Sequence, residues 1–595
     1  MYYTKKVLLF ILLYIDTMAQ FLAHSRRFST SALKTPPKLN TYSKILTNDP
    51  SLGAAKAMYY ALGFKKEDFS KAQIGIGSMA YDGNPCNSHL GKLSDVVHHK
   101  MNLTPTMKGL RFNTIGVSDG IGMGTKGMRY SLPSREIIAD SIQTITEAHH
   151  YDGNVIIGSC DKNLPGALMA ISRINRPSIL VYGGSMKPGF YKNKPVDIVS
   201  AFQSYGQLLS GEMSENERDD LLEKCCPGPG TCAGGYTANS MGVFTEALGM
   251  CLPNSSSNLA ESNEKISECE SVSNYMELLL RKNIKPSDII TRKSIENGIT
   301  AVIAFGGSTN IVLHVLALAR TIGIDLTIDD FNKIGAKVPV FGNIKPYGQY
   351  VMADIYNNGG TSVLLKSLLD GGFLHPDCST VTGKTLAENL THIKTKPNKD
   401  IWSYDNPVKS SSHIRVLRGS LAPNGAVAKI TGKEGEYFEG YARVYDTEDA
   451  FINDLIANLI KENMVIVIRY QGPKGSPGMP EMLKATSAVV GCGLAKKICF
   501  LTDGRFSGGT HGFVIGHISQ EAYEGGPIAL IENGDKIIVD AKKNTIDLIV
   551  DSSVLFQRKM NWVLPEHIKN NVEKYGFLSK YRKLVQSASD GCVLE

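Results

Sequence analysis

The fold is set most narrowly by one strand-to-helix passage. Asn154-Val-Ile-Ile157 is a short, apolar, β-branched run of the kind that forms a buried strand, and Ala167-Leu-Met-Ala-Ile-Ser172, opened by Pro165 and Gly166, reads as a helix. Between them lies Gly158-Ser-Cys-Asp-Lys-Asn-Leu-Pro-Gly166. A strand handed to a helix across a glycine-bounded turn is the unit of layered α/β sheets. In such sheets ligands bind at this end, where strand ends expose side chains and helix N-termini attract anions. Cys160, Asp161 and Lys162 therefore put a soft thiolate, a hard carboxylate and an amine side by side where two metals of different character could meet. Alone, such a tripeptide most often carries no chemistry, and a free Cys most often behaves as a small buried hydrophobe. The rest of the chain decides.

From about residue 52 to 390 short apolar runs alternate with helical segments. Ser178 to Tyr182 is a second strand, and Pro133 to His149 a helix with Ile137, Ile138, Ile142, Ile145 and Ala148 on one face. Residues 391–412 are polar, contain proline and have no period, so they read as a linker. Beyond them short strands follow at close spacing: Ile414 to Leu417, Val427 to Ile430, Met464 to Ile468, Ile498 to Leu501, Ile528 to Ile531 and Ile537 to Val539. Turns at Pro423-Asn-Gly425 and Asn533-Gly534 separate some of them. The expectation is an α/β protein with a layered α/β domain over 45–390 and a smaller, β-barrel-like domain over 413–595.

Composition excludes some functions. The net charge of +7 is carried largely by the first forty-odd residues, so the body shows no basic footprint for nucleic acid. The apolar run Val7 to Ile15 resembles a signal-peptide core and is too short to span a bilayer. From Met18 the chain is Arg- and Ser-rich, and no acid falls between Asp16 and Asp49. That is the composition of a mitochondrial transit peptide, taken here as residues 1–34 and directing the chain to the matrix, with secretion as the other reading. The 11 cysteines, an odd number in a long chain, do not suggest a disulfide framework.

Three of these cysteines stand in loops whose backbone can close around an inorganic cluster: Cys86 in Asn84-Pro-Cys-Asn-Ser-His89, Cys160, and Cys232 in Pro227-Gly-Pro-Gly-Thr-Cys-Ala-Gly-Gly235. There is no Cys-x-x-Cys pair for structural zinc. Iron–sulfur clusters usually take four thiolates, so three would leave an iron open as a Lewis acid. The plain alternative is three unrelated thiols, and Cys225 and Cys226 compete with Cys232 as the third. Asp119, Asp161 and Glu481, in or beside glycine-flanked loops, offer oxygen ligands of the kind that suit Mg²⁺. Lys162 could join them only if neutralised or converted to a carbamate. Ser507, between Phe506 and Gly508, is sterically open as a reacting oxygen must be, but needs a metal or cationic neighbour to act as a base, with Arg505 and His511 at hand. Gly306-Gly-Ser-Thr-Asn310 reads first as a helix N-cap, second as a holder of a substrate carboxylate, and His314 as a core histidine.

Together these segments resemble a known family. Pro85-Cys-Asn-Ser-His-Leu90, Phe112 to Gly120, Tyr130 to Ile138, Cys160 to Gly166, Pro227 to Cys232, Gly306 to Asn310, Gly478-Met-Pro-Glu-Met482 and Asp503-Gly-Arg-Phe-Ser-Gly-Gly509 are similar, in order, to the dihydroxy-acid dehydratases, whose family includes sugar-acid dehydratases. The resemblance covers residues 45 to 595. It implies a [2Fe-2S] cluster, or less commonly [4Fe-4S], on Cys86, Cys160 and Cys232, and Mg²⁺ on Asp119, Asp161, carbamylated Lys162 and Glu481. It also implies Ser507 as proton acceptor and a homodimer. The implied reaction dehydrates 2,3-dihydroxy-3-methylbutanoate and its methylpentanoate homologue to 2-oxo acids in branched-chain amino-acid synthesis. A sugar-acid substrate, or a non-catalytic iron–sulfur sensor, is the alternative. One position departs from the pattern: Lys126, in Gly124-Thr-Lys-Gly-Met128, stands where many members carry Glu.

Overall fold

The computed structural model describes residues 38–394, 398–402, 404, 406–510 and 512–595. The expected presequence and His511 lie outside them. Two sheets organise the compact unit Asn40–Glu595. The first is parallel and four-stranded: β1 (Ala72–Ser78), β2 (Met107–Asn113), β3 (Gly153–Gly158) and β4 (Ser178–Tyr182), in the order β2-β1-β3-β4. Strands β1, β3 and β4 are buried along their whole length, which is why their sequences are nearly continuous in small and apolar residues.

Two helices after these strands carry site residues. Ser131–Ala148 lies along Asn163–Ile174, and their close approach depends on Gly166, where an added Cβ would stand 2.7 Å from the carbonyl oxygen of Arg135. The face of Ser131–Ala148 differs from the one read from its isoleucines. Its first turn is buried all round and Ile138, Ala139, Ile142 and Thr146 continue the buried stripe, while Ala148 is exposed. The reason is polar: Arg135 is wholly buried, ion-paired to Glu136, and donates to the carbonyls of Gly591 and Cys592 at 2.9 Å each.

The second sheet has eight strands: β5 (Ile414–Leu417), β6 (Gly425–Lys429), β7 (Tyr437–Tyr445), β8 (Met464–Ile468), β9 (Cys499–Thr502), β10 (Phe513–Ser519), β11 (Lys536–Asp540) and β12 (Thr545–Ile549). Their order is β12-β11-β7-β8-β9-β10-β6-β5, with a parallel centre, β7 to β10, and antiparallel hairpins at both ends. The two edges meet, since Arg418 bridges to Thr545 and the Ile546 N–H donates to the Arg418 carbonyl at 3.0 Å, so the sheet is an almost closed barrel. Strand β8 explains its own sequence: Val465 and Val467 point into the barrel core while Ile466 and Ile468 face an outer layer with Phe451, Ala485 and Val489. Both faces are buried, hence five apolar residues without alternation. Ile528 to Ile531 is not a strand. Pro527 opens a 3₁₀ turn over Pro527–Leu530, because proline supplies the helical φ and no N–H for a ladder. Within the segment read as a linker, Trp402 is fully buried and residues 401 and 409 hydrogen-bond to the chain at 340–343.

Candidate active site

The turn after β3 is held by one side chain: Asn163 Oδ1 accepts from the N–H groups of Ser159, at 3.1 Å, and Cys160, at 2.9 Å. This fixes Cys160 and Asp161 on the turn and Lys162 at the N-cap of the helix Asn163–Ile174. Asp119 comes from the loop after β2, where Ser131 Oγ lies 2.9 Å from each of its oxygens. Glu481 comes from the C-terminal half. Residues Glu481–Met482 pair in parallel with Arg505–Phe506, so the Glu481 loop and the Ser507 loop are one two-stranded unit.

These parts meet around Lys162. Its ammonium ion-pairs with Asp119, lies 2.8 Å from Glu481 Oε1 and stands 3.7 Å from Asp161 Oδ2. Glu481 is also paired with the fully buried Arg505, and accepts from Asn310 Nδ2 at 2.9 Å. One oxygen from each of Asp119, Asp161 and Glu481 can be chosen so that all lie within 4.8 Å of one another. Burial, and then the charge of Asp119, push Asp161 up to about 7. Burial also raises Asp119, against the pull of Lys162. Glu481 goes the other way, since Lys162 and Arg505 together outweigh its burial and hold its carboxyl below the ordinary range.

Beside this cluster the Cys86 thiol neighbours both Cys160 and Cys232, and their proximity, with burial, pushes it well up. All 11 cysteines are free thiols. Cys225 is elsewhere, packed with Tyr191, Val196 and Leu221, and Cys226 is exposed. The Cys232 loop is fixed by Asn239, whose Nδ2 donates to the carbonyls of Cys232 and Gly234 at 2.7 Å each. Several buried polar atoms near both clusters have no protein partner: both amide atoms of Asn87, Asn163 Nδ2, Asn310 Oδ1 and Arg505 Nη2. Buried polar groups are rarely left so. The donor sets fit two groups of different hardness, an iron–sulfur cluster on three thiolates and a divalent cation on carboxylates.

Ser507 is half-buried, and its N–H donates to the Met482 carbonyl at 3.1 Å. Its loop lies close against the Gly306–Asn310 loop, where a Cβ on Gly508 would stand 2.8 Å from Ser308 Oγ. Arg505 turns to Glu481 and the Met479 carbonyl. Asn310 stands at the N-cap of the helix Ile311–Thr321, as read, but its side chain makes no cap bond; its Nδ2 donates to Glu481 and to Thr237, at 3.1 Å. His314 is buried against Arg135. Lys126 is exposed, at the start of a 3₁₀ turn. Sequence reasoning missed the roles of Ser131, Asn239 and Asn310; the first and last stand inside segments that carry the resemblance.

Comparison with known proteins places this arrangement in a class. Residues 71–389 match the family model of the dihydroxy-acid/6-phosphogluconate dehydratase N-terminal region, and residues 400–592 that of the C-terminal region. The chain belongs to this family and is an enzyme of the dehydratase class, a lyase. Among its relatives is the dihydroxy-acid dehydratase of Francisella tularensis subsp. novicida, 53% identical over 559 residues that cover 94% of this chain and 99% of that protein. The mitochondrial dihydroxy-acid dehydratase of Saccharomyces cerevisiae is 52% identical over 583 residues, covering 96% and 99%. The chloroplastic dihydroxy-acid dehydratase of Arabidopsis thaliana is 50% identical over 575 residues, covering 95% and 94%.

Proposed function

We propose that the enzyme converts 2,3-dihydroxy-3-methylbutanoate and 2,3-dihydroxy-3-methylpentanoate to their 2-oxo acids, as a step in branched-chain amino-acid synthesis. The observation that carries this reading is the meeting, at the consecutive residues Cys160, Asp161 and Lys162, of a three-thiol cluster with a three-carboxylate cluster, closed by the Ser507 loop. Cys86, Cys160 and Cys232 would hold the iron–sulfur cluster, [2Fe-2S] in this reading. Asp119, Asp161, Glu481 and Lys162, the last as its carbamate, would hold Mg²⁺. When bound, these groups supply Lewis acidity for the C3 hydroxyl and positive charge for the carboxylate and C2 oxygen.

The chain's own residues do the rest. Ser507 Oγ, as its alkoxide, takes the proton from C2, the C3–oxygen bond breaks with loss of hydroxide, Ser507 gives its proton to that hydroxide to make the one water lost, and the resulting enol ketonises. Ser507 is aimed by its N–H bond to Met482 and by the packing of Gly508 on Ser308. Arg505, Asn310 and Ser131 hold Glu481 and Asp119 in place without entering the reaction. Carbamylation of Lys162 would convert a donor at the centre of three acids into an acceptor, removing the ion pairs that hold its ammonium there. The acid-poor N-terminus and the mitochondrial relative support import into the matrix, and the resemblance supports a homodimer. No helix among the described residues is long and apolar enough to cross a membrane.

The test is 2-oxo acid formation by anaerobically prepared protein given iron, sulfide and Mg²⁺. Turnover that disappears when either metal is withheld, and in Ser507→Ala with its visible absorption retained, is expected. Turnover of pentonates or hexonates instead of the branched acids would overturn the substrate assignment, and full activity in Ser507→Ala would remove that residue from its role.

A further inference from the structure

Next to Gly508 lies a cavity of about 240 Å³ that none of the thiols or carboxylates of the catalytic cluster lines. Pro346, Tyr347, Lys429, Thr431, Lys433 and Lys496 form most of its wall. Lys429, the last residue of β6, is only 5% exposed. Its ammonium donates to the Gly508 carbonyl at 3.1 Å and lies 5.4 Å from the centre of the Tyr347 ring. Among the described residues no carboxylate comes within ion-pairing distance of it. Glu434, the acid in the lining, accepts from the N–H and hydroxyl of Thr431, and its charge offsets only part of the burial of Lys429. Lys433 and Lys496 are exposed at the rim; the first donates to the Tyr347 carbonyl, and the second makes no ion pair among the described residues.

A lysine that has given up water for one carbonyl and a ring face is poorly compensated. The cavity it lines completes the arrangement if an anion enters, with two exposed cations to draw it in. We propose that this cavity is a second ligand site, for a small carboxylate that bonds to Lys429 and lies between Lys433 and Lys496. A space of about 240 Å³ is enough for a short aliphatic acid. Because Lys429 also holds the carbonyl next to Ser507, a bound acid that draws on its ammonium alters how the Ser507 loop is held. The binding does not depend on the reaction proposed above; only this coupling rests on it.

Protonation provides a signature. Of the buried groups facing Lys429, burial pushes Tyr347 far up and holds His413 down to about 3, so both are uncharged near neutrality. Burial holds Lys429 itself down to about 7, against the opposing charge of Glu434. An anion favours its charged form, so binding takes up a proton above that pH and weakens as pH rises.

The experiment is calorimetric titration of the full chain with 2-methylpropanoate, which lacks the hydroxyls needed for dehydration, in Hepes and in Tris. The expected result is saturable binding, retained in Ser507→Ala, about tenfold weaker in Lys429→Met and about threefold weaker in Lys496→Glu. It should also be weaker at pH 9 than at pH 6.5, with heats that differ between buffers. Absence of binding at millimolar acid overturns the proposal. So does binding that Lys162→Met abolishes and Lys429→Met leaves intact, since the acid would then occupy the catalytic cluster. Should Lys429→Met fail to fold, the exposed Lys496→Glu decides, and unchanged affinity there also overturns it. Coupling is read separately: the acid changes kcat in the wild type and not in Lys429→Met, whereas an effect on KM alone excludes coupling.

Discussion

Two buried lysines serve the Ser507 loop from opposite electrostatic surroundings. Lys162, 1% exposed, sits among three carboxylates that hold its pKa above the ordinary range despite burial and the nearby Arg505. Lys429, 5% exposed, has a carbonyl and an aromatic face, and falls to about 7. Burial sets the stakes in both places, and the neighbours decide the outcome. One pocket has an excess of negative charge and suits a cation; the other has an excess of positive charge and suits an anion.

The largest effect that would break this contrast is at Lys162. Lys162→Met is expected to lower turnover by roughly a thousandfold, because it removes the centre of the carboxylate cluster; a variant within tenfold of wild type in 2-oxo acid formation would show that the cluster does not need it. Arg505→Met leaves Glu481 buried with one cation fewer and should cost about 3–5 kcal/mol, read from urea midpoints. A loss under about 1 kcal/mol would show that Lys162 alone compensates Glu481.

The third test sharpens the contrast through pH. Lys429 titrates lower in the folded chain than in the unfolded one, so the unfolded chain binds more protons between about 7 and the ordinary value of 10.5. Wild-type stability should therefore rise relative to Lys429→Met as pH increases across that window, by at most about 1.4 kcal/mol per unit. A flat difference would mean that Lys429 keeps its charge. The smallest effect belongs to Lys126. It is exposed, so Lys126→Glu should change stability by no more than about 0.5 kcal/mol and turnover by no more than about threefold.

Much of the architecture was legible because its signals are local. The run Asn154 to Ile157, the turn at Cys160 and the helix after it sit where periodicity and glycine punctuation place them, and the all-apolar β8 declares that both its faces are covered. One error passed over a local signal, and the rest of what was missed depends on distant partners. Ile528 to Ile531 has a strand's composition, but Pro527 turns it into a 3₁₀ segment. The isoleucines of residues 131–148 suggested one buried face, whereas Arg135 draws the first turn inside to meet carbonyls 456 and 457 positions away. The Gly306–Asn310 stretch does hold a helix N-cap, but only the fold brings Glu481 to the Asn310 amide. Nothing near Lys429 in the chain marks it as unusual, since Gly508 is 79 positions distant.

The bond from Arg135 to residues 591 and 592 also has a consequence in time. The helix that carries Ser131, the partner of Asp119, is translated early, yet the acceptors for its buried guanidinium emerge from the ribosome several hundred residues later. A nascent chain holding all three thiols and Lys162 still lacks the segment that seats this helix, as well as Glu481 and Ser507. Closure of the carboxylate cluster thus waits for the chain past Glu481, and the seating of the helix at 131–148 waits for residues 591 and 592.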